Sequence, residues 1–209
     1  EDGSVVKSKT ILIATGSNPR KLGVKGEVEF SNAGVAYCAI CDAPLFKGKD
    51  VIIAGGGNSA VEAAIDVAKI AKHVTLVHRS QLRADKILVD KMNEQANIKV
   101  YLESQILEIE GDTRMRSIRV LDKQSNTEFR LEADGIFIEI GNIPNSDLVK
   151  NLVELNDRNE IIVNHKQETS LEGCYSAGDV TNTPYKQIII ATAEGAKAAL
   201  AANEYINTH

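Results

Sequence analysis

Two cysteines stand two residues apart in Cys38-Ala39-Ile40-Cys41, with Asp42 directly after them. A two-residue spacer lets the sulfurs bridge. The pair can then hold two electrons as a dithiol and give them up as a disulfide, with a thiolate stabilised by its surroundings as the reactive form. Asp42 is placed to shuttle the proton that thiol–disulfide exchange requires. Two other readings stay open for these residues. A zinc site needs about four ligands, and no second C-x-x-C or H-x-x-H is present to complete one. The pair could also be two buried thiols. The spacing favours redox chemistry. Cys174 stands alone in an apolar run and reads as a small buried residue. Among the histidines, His73, His165 and His209 are scattered, which fits surface or internally satisfied positions.

The second group of residues suits a phosphate. Gly55-Gly56-Gly57-Asn58-Ser59-Ala60 reads G-x-G-x-x-A. Gly55 permits a tight turn, Gly57 lets backbone approach a pyrophosphate, and the small Ala60 lets a helix pack close to the preceding strand. A helix starting there adds free N–H groups and the positive end of its dipole. A short glycine-rich turn can also be purely structural. Here an apolar run, Val51-Ile52-Ile53-Ala54, precedes it, and Ala60, Val61, Ala64, Ile65 and Ala68 recur behind it at helical spacing.

The next strand decides which dinucleotide. An acidic residue at its end would bind a ribose 2′-hydroxyl. This chain has His78-Arg79-Ser80-Gln81-Leu82-Arg83 instead, three groups able to carry positive charge and no carboxylate. That pattern favours a 2′-phosphate, hence NADPH over NADH. Further on, Ala177-Gly178-Asp179 closes a strand, and its carboxylate could bind a ribityl or ribose hydroxyl. Gly-Asp is also a common turn.

These groups need a scaffold. Strands are expected at 10–14, 51–54, 73–77, 98–102, 135–140, 161–163 and 174–177, with helices after the glycine turn, after a capping Asp85, and over 186–206. Strand, glycine loop, helix and strand follow one another in about 30 residues, the size of a βαβ unit. Residues 105–131 change character, with short alternating runs at 106–109, 118–121 and 128–131 that read as an antiparallel meander. The fold class is therefore α/β, a parallel sheet carrying an antiparallel meander. No internal repeat is visible.

Composition bounds the partners. The 209 residues are 43% hydrophobic and 25% charged, usage typical of a globular chain. The net charge of −5 leaves no basic field for nucleic acid or anionic lipid. No apolar run reaches the roughly 18 residues needed to span a bilayer. The stretch Glu1-Asp2-Gly3-Ser4 lacks the apolar core of a signal peptide. A cytoplasmic setting is expected, and three cysteines form no secreted disulfide framework.

In order and spacing, the segments Ala14-Thr15-Gly16, Cys38-Ala39-Ile40-Cys41-Asp42, Gly55 to Ala60, His78-Arg79 with Arg83-Ala84, Gly141 with Pro144-Asn145, Ala177-Gly178-Asp179-Val180 and Tyr185-Lys186-Gln187-Ile188 resemble the low-molecular-weight thioredoxin reductase family, which includes the flavoprotein component of alkyl hydroperoxide reductase. The resemblance implies a Rossmann-like NADPH-binding domain over 33–143, inserted into an FAD-binding domain made of 1–32 and 144–209. It implies a thioredoxin-disulfide reductase, working as a homodimer, with a thioredoxin, glutaredoxin-like or peroxiredoxin-type partner. By the same resemblance, Cys38 and Cys41 are the redox disulfide beside the flavin and Asp42 is the acid/base. Gly55, Gly57, Asn58, Ser59 and Ala60 hold the NADPH pyrophosphate, and His78, Arg79 and Arg83 hold its 2′-phosphate. Asp179 binds the flavin ribityl chain, while Gln187 and Ile188 line the isoalloxazine ring through main chain. The His78-Arg79 pair leans toward thioredoxin reductase, because the peroxide-reductase branch tends to an acidic or neutral strand end. The chain departs from the family in lacking its first G-x-G-x-x-G, so the FAD-binding domain is expected to be partial, with its exposed edge covered by a partner or a second copy. The rival readings are a peroxide-reductase flavoprotein with an NADH preference, an NADPH-binding module without catalysis, and a flavin enzyme fed by ferredoxin or reduced deazaflavin. The intact glycine loop argues against the last.

Overall fold

The computed structural model describes residues 3–209. Glu1 and Asp2, the start of the stretch read above for a signal peptide, lie outside the described residues. The chain divides into two compact units, one of residues 19–141 and one of residues 1–18 with 142–209.

The chain first forms β1 (Ile11–Ile13) and β2 (Ser17–Pro19). The larger unit then begins, with β3 (Val35–Ala36), α1 (Ala39–Asp42), β4 (Asp50–Ala54), α2 (Asn58–Ala68), β5 (His73–Val77), α3 (Lys86–Asn93) and β6 (Ile98–Tyr101). The meander β7 (Ser104–Gly111), β8 (Met115–Asp122) and β9 (Thr127–Glu132) follows, and β10 (Gly135–Ile138) completes the sheet. The sheet order is β3-β10-β4-β5-β6, with every pair parallel. Its central strands β4 and β10 are near-continuous apolar runs because both faces are covered. Along β4 the side chains alternate. Val51 and Ile53 pack with Ala60, Val61, Ala64 and Val67 of α2 and with Met92 of α3. Ile52 and Ala54 pack with Ile106, Ile109, Met115, Ile118 and Val120 of the meander. The result is three layers, helices on one face of the parallel sheet and an antiparallel sheet on the other.

Residues 19–32 fall within the larger compact unit. Phe30 is buried in the core beneath the meander, and Leu22 and Val24 pack against it. The Ile109 amide donates to the Lys25 carbonyl at 2.9 Å. Gly26 lies so close to the Ile109 backbone that a Cβ there would overlap it. Apolar burial along β7 thus ties 19–32 to the larger unit.

In the smaller unit, β11 (Asn142–Pro144) pairs with β2, and β12 (Cys174–Ser176) runs parallel to β1. The long helix α4 (Ile188–Thr208) buries Ala198 and Ala201 against Tyr175 and Ala177. Cys174 is buried, as expected of it. The strand expected over 161–163 is absent. Ile161 makes only isolated bridges, to Leu155 and Thr181. Side-chain turns on either side leave it no length. Asn156 Oδ1 accepts the amides of Arg158 and Glu160, and Asn164 Oδ1 accepts those of Lys166 and Glu168.

Candidate functional site

Cys38 and Cys41 are joined as a disulfide, with Cα atoms 5.3 Å apart. Their sulfurs are bonded to each other, which removes the zinc and buried-thiol readings for this form of the chain. Cys38 is the N-cap of the short helix α1, and its Sγ accepts the Cys41 amide at 3.3 Å. Pro44 opens a 3-10 turn, Ala43–Phe46, that leads the chain away from the pair. Phe46 anchors that turn edge-on against Phe137. Its ring occupies the space a side chain would need at Gly135. Asp42 is half-buried, and its carboxylate makes no hydrogen bond among the described residues.

Two carboxylates frame this segment, and motif spacing points to neither. Glu139, which follows β10, accepts the Ala39 amide at 3.2 Å. Burial pushes its carboxyl up from the usual range, an effect the Ala39 hydrogen bond partly offsets. Glu27 is 1% exposed. It accepts from the amides of Leu22 and Gly23, at 3.1 and 2.7 Å, and from the Tyr37 hydroxyl at 2.9 Å. Burial, helped by this carboxylate, pushes the Tyr37 phenol up to about 12. Tyr37 therefore stays a neutral donor and pins the backbone one residue before Cys38. A lone charge inside the apolar run 135–140 is the signal that could have exposed Glu139.

The glycine loop follows β4 directly. Gly55 has φ +155°, and a Cβ there would strike the Glu139 carbonyl. Only glycine suits this turn. A Cβ on Gly56 would strike the His78 ring. Gly57 is the N-cap of α2, and nothing stands within 4 Å of where its Cβ would be. That open cradle, at a helix start whose first amides have no partner within the helix, fits a phosphate. Ala60 is fully buried, whereas Ser59 is exposed with its hydroxyl unpartnered among the described residues. The Asn58 side chain is not free for a ligand as expected. Its Nδ2 donates to Asp85 Oδ2 and its Oδ1 accepts the Asp85 amide, both at 2.9 Å. Asp85 is the N-cap of α3, but its carboxylate does not cap that helix.

His78 sits in different surroundings from the two arginines that follow it. It is 6% exposed, with Nε2 3.2 Å from the Ser80 hydroxyl. Burial first, then Arg83 and Arg79, holds the imidazole below its ordinary range, so it is neutral at pH 7. Arg79 and Arg83 are exposed, and neither guanidinium has a hydrogen bond or ion pair among the described residues. The loop that carries them is held from behind. The Arg83 amide donates to the Gly56 carbonyl at 2.7 Å, and Lys123 Nζ donates to the Arg79 carbonyl at 3.1 Å. Two uncommitted guanidinium groups on a loop whose backbone is held beside the phosphate cradle suit the extra phosphate of NADPH.

In the smaller unit Gly178 has φ +80°, and its amide donates to the buried Glu194 carboxylate at 2.8 Å. Asp179, the next residue, is half-buried, with no hydrogen bond to its carboxylate among the described residues. Gln187 is the N-cap of α4. Ile188 and Ile189 open that helix at 89% and 74% exposure. An unpartnered carboxylate and an uncovered apolar helix start, both within this unit, fit a flavin's ribityl hydroxyls and ring.

The family model of pyridine nucleotide-disulphide oxidoreductases matches residues 1–195. The F component of alkyl hydroperoxide reductase from Staphylococcus aureus is 46% identical over 207 residues, covering 99% of this chain and 41% of that protein. Its counterpart in Pseudomonas aeruginosa is 48% identical over 208 residues, covering 99% and 40%. The chain thus spans about two-fifths of the length of these relatives. Among solved structures, thioredoxin reductase from Streptococcus pyogenes superimposes with a TM-score of 0.90 at 35% identity, over 96% of this chain and 66% of that one. Among the described residues, no helix is long and apolar enough to cross a membrane.

Proposed function

The chain belongs to the pyridine nucleotide-disulphide oxidoreductase family, and from that premise we propose that it acts in the NADPH- and FAD-dependent reduction of a protein disulfide. Cys38 and Cys41 are the dithiol that meets the acceptor. The observation that carries this reading is their disulfide, which follows β3 while the glycine loop follows β4, two strands of one parallel sheet. When bound, the nucleotide supplies a hydride and the flavin a two-electron carrier.

The chain's own residues do the rest. Gly55, Gly57, Ser59 and Ala60 shape the pyrophosphate cradle, and Asn58 braces it. Arg79 and Arg83 take the 2′-phosphate, while His78 supports the loop as a neutral ring. Asp179, Gln187 and Ile188 would hold the flavin. Two electrons and two protons open the Cys38–Cys41 bond to two thiols. One thiolate attacks the acceptor's disulfide, and an acceptor thiolate leaves. The second cysteine then attacks the mixed disulfide, which releases the reduced acceptor and restores the Cys38–Cys41 bond. Asp42 accepts and returns the thiol proton. Glu139 and Tyr37 hold the segment in place.

The acceptor in this reading is a thioredoxin-like protein, supported by the overlay on thioredoxin reductases and by the basic strand end. The alkyl hydroperoxide reductase relatives favour a second reading, with a peroxiredoxin-type acceptor. A homodimer and a cytoplasmic setting belong to the same proposal. The test is turnover of NADPH with thioredoxin and, separately, with a peroxiredoxin-type disulfide protein. The wild-type chain is expected to reduce the first faster. Cys38→Ser should abolish turnover with either while NADP+ still binds. Turnover retained by that variant overturns the role given to the pair.

A further inference from the structure

Asn58 begins the helix of the phosphate cradle, and Asp85 ends the loop that carries Arg79 and Arg83. The two are 27 positions apart, yet they exchange two hydrogen bonds of 2.9 Å. We propose that this pair is a clasp that positions the two arginines for a 2′-phosphate, so that Asn58 and Asp85 set the preference for NADPH over NADH without touching the distinguishing group. The inference rests on the nucleotide reading given above.

Three observations support it. First, Asp85 gives up its usual employment. A carboxylate at a helix N-cap normally accepts an amide of its own first turn. Here that bond is missing, and the side chain turns to Asn58 instead. Second, charge alone argues against a carboxylate at this place. Asp85 lies two residues from Arg83, beside the proposed anion site, where its negative charge repels a phosphate. A geometric service outweighs that repulsion. Third, the clasp closes a loop already tied at other points, by Arg83 N to Gly56 O, Lys123 Nζ to Arg79 O, and the His78 ring beneath Gly56. None of these ties uses a guanidinium, so both arginine side chains stay uncommitted. A loop fixed in this way loses less freedom when it closes on an anion.

The sign of one substitution separates the clasp from its alternatives. The measurement is calorimetric binding of NADP+ and of NAD+ to the full chain, with NADPH and NADH turnover alongside. Asp85→Ala removes the Asn58 Nδ2 bond and the negative charge, and leaves the bond from its own amide to Asn58 Oδ1 in place. It is expected to weaken NADP+ about tenfold and NAD+ by less than about threefold, an effect of the size seen for coupled neighbours. Asn58→Ala removes both bonds and should weaken NADP+ at least as much, and the double variant should lose no more than Asn58→Ala alone. Asp85→Asn keeps an oxygen for Asn58 and drops the charge, so NADP+ should bind as in the wild type or more tightly. If Asp85→Ala binds NADP+ equally or more tightly, Asp85 is only a like charge and the clasp is wrong. Equal losses for both nucleotides reduce it to a structural brace and also overturn it. A wild-type chain that binds NADP+ no more tightly than NAD+ defeats the arginine reading itself, a result visible before any variant is made.

Discussion

The Glu139 carboxylate accepts the Ala39 amide at 3.2 Å, which ties the residue after β10 to the residue after Cys38. Glu139 also reaches the glycine loop, since its own amide donates to the Ala54 carbonyl at 2.8 Å and its carbonyl crowds Gly55. One residue therefore fixes the relative placement of the redox pair and the glycine loop. Glu139→Ala should slow reduction of the acceptor about fivefold, the worth of one buried hydrogen bond of about 1 kcal/mol. Glu139→Gln retains an oxygen for Ala39 and should restore most of the rate. Steady-state kinetics at saturating NADPH decide it. An alanine variant as fast as the wild type would remove Glu139 from this role.

His78 gives the fold a dependence on pH. Its imidazole is held below the ordinary range, chiefly by burial. The unfolded chain, with a histidine pKa of about 6.5, then binds more protons than the native one as pH falls. The contribution of this residue to stability is complete above about pH 6.5 and is lost as pH falls from there toward the lowered native value. His78→Gln should melt at a lower temperature than the wild type at pH 7.5, with the gap narrowing at pH 5.5. Thermal unfolding across that range checks it, and a gap that stays constant would mean the ring is not held neutral.

Much of this was legible from residue types alone, because the signals are local. β4, β5 and the meander are apolar runs with period-two or continuous character, and α2 follows its glycine loop as small residues at helical spacing require. The Cys38–Cys41 pair carries its chemistry in four consecutive residues. Position in three dimensions was less legible. His78 is written like a surface cation, but the Gly56 backbone lies against its ring. Asn58 is written like a phosphate ligand, but a partner 27 residues away has claimed its side chain. Residues 19–32 carry many charges, yet Phe30 and Glu27 are buried in the core. In each case a long-range contact decides the outcome, and sequence spacing does not encode it.

The glycine loop separates fold from binding. Gly56→Ala would drive a methyl into the His78 ring, itself buried and unable to yield. Overpacking of this kind costs about 1–3 kcal/mol and should lower the melting temperature. Gly57→Ala meets nothing within 4 Å, and its φ of −94° suits any residue. It should melt like the wild type yet bind NADP+ more weakly, because its methyl enters the cradle. Thermal melts and binding titrations on the two variants test the pair of statements. A Gly57→Ala chain with unchanged affinity would move the phosphate elsewhere.

Arg79 isolates the charge of the site from its scaffold. The guanidinium is exposed and makes no hydrogen bond or ion pair among the described residues, so the fold gains nothing from it. Only its carbonyl is employed, by Lys123, and a substitution leaves that bond in place. Arg79→Glu should therefore melt within a degree or two of the wild type, as exposed substitutions away from buried networks do. Its effect belongs to the ligand. Reversing one charge beside a phosphate dianion should weaken NADP+ at least about tenfold at low salt, whereas NAD+, with no phosphate there, should change less than about threefold. The loss should shrink as ionic strength rises, because an exposed charge is screened over about 10 Å at 0.1 M salt. Binding of both nucleotides at two salt concentrations gives the answer. Equal losses for NADP+ and NAD+, or a loss indifferent to salt, would mean that Arg79 does not face the 2′-phosphate.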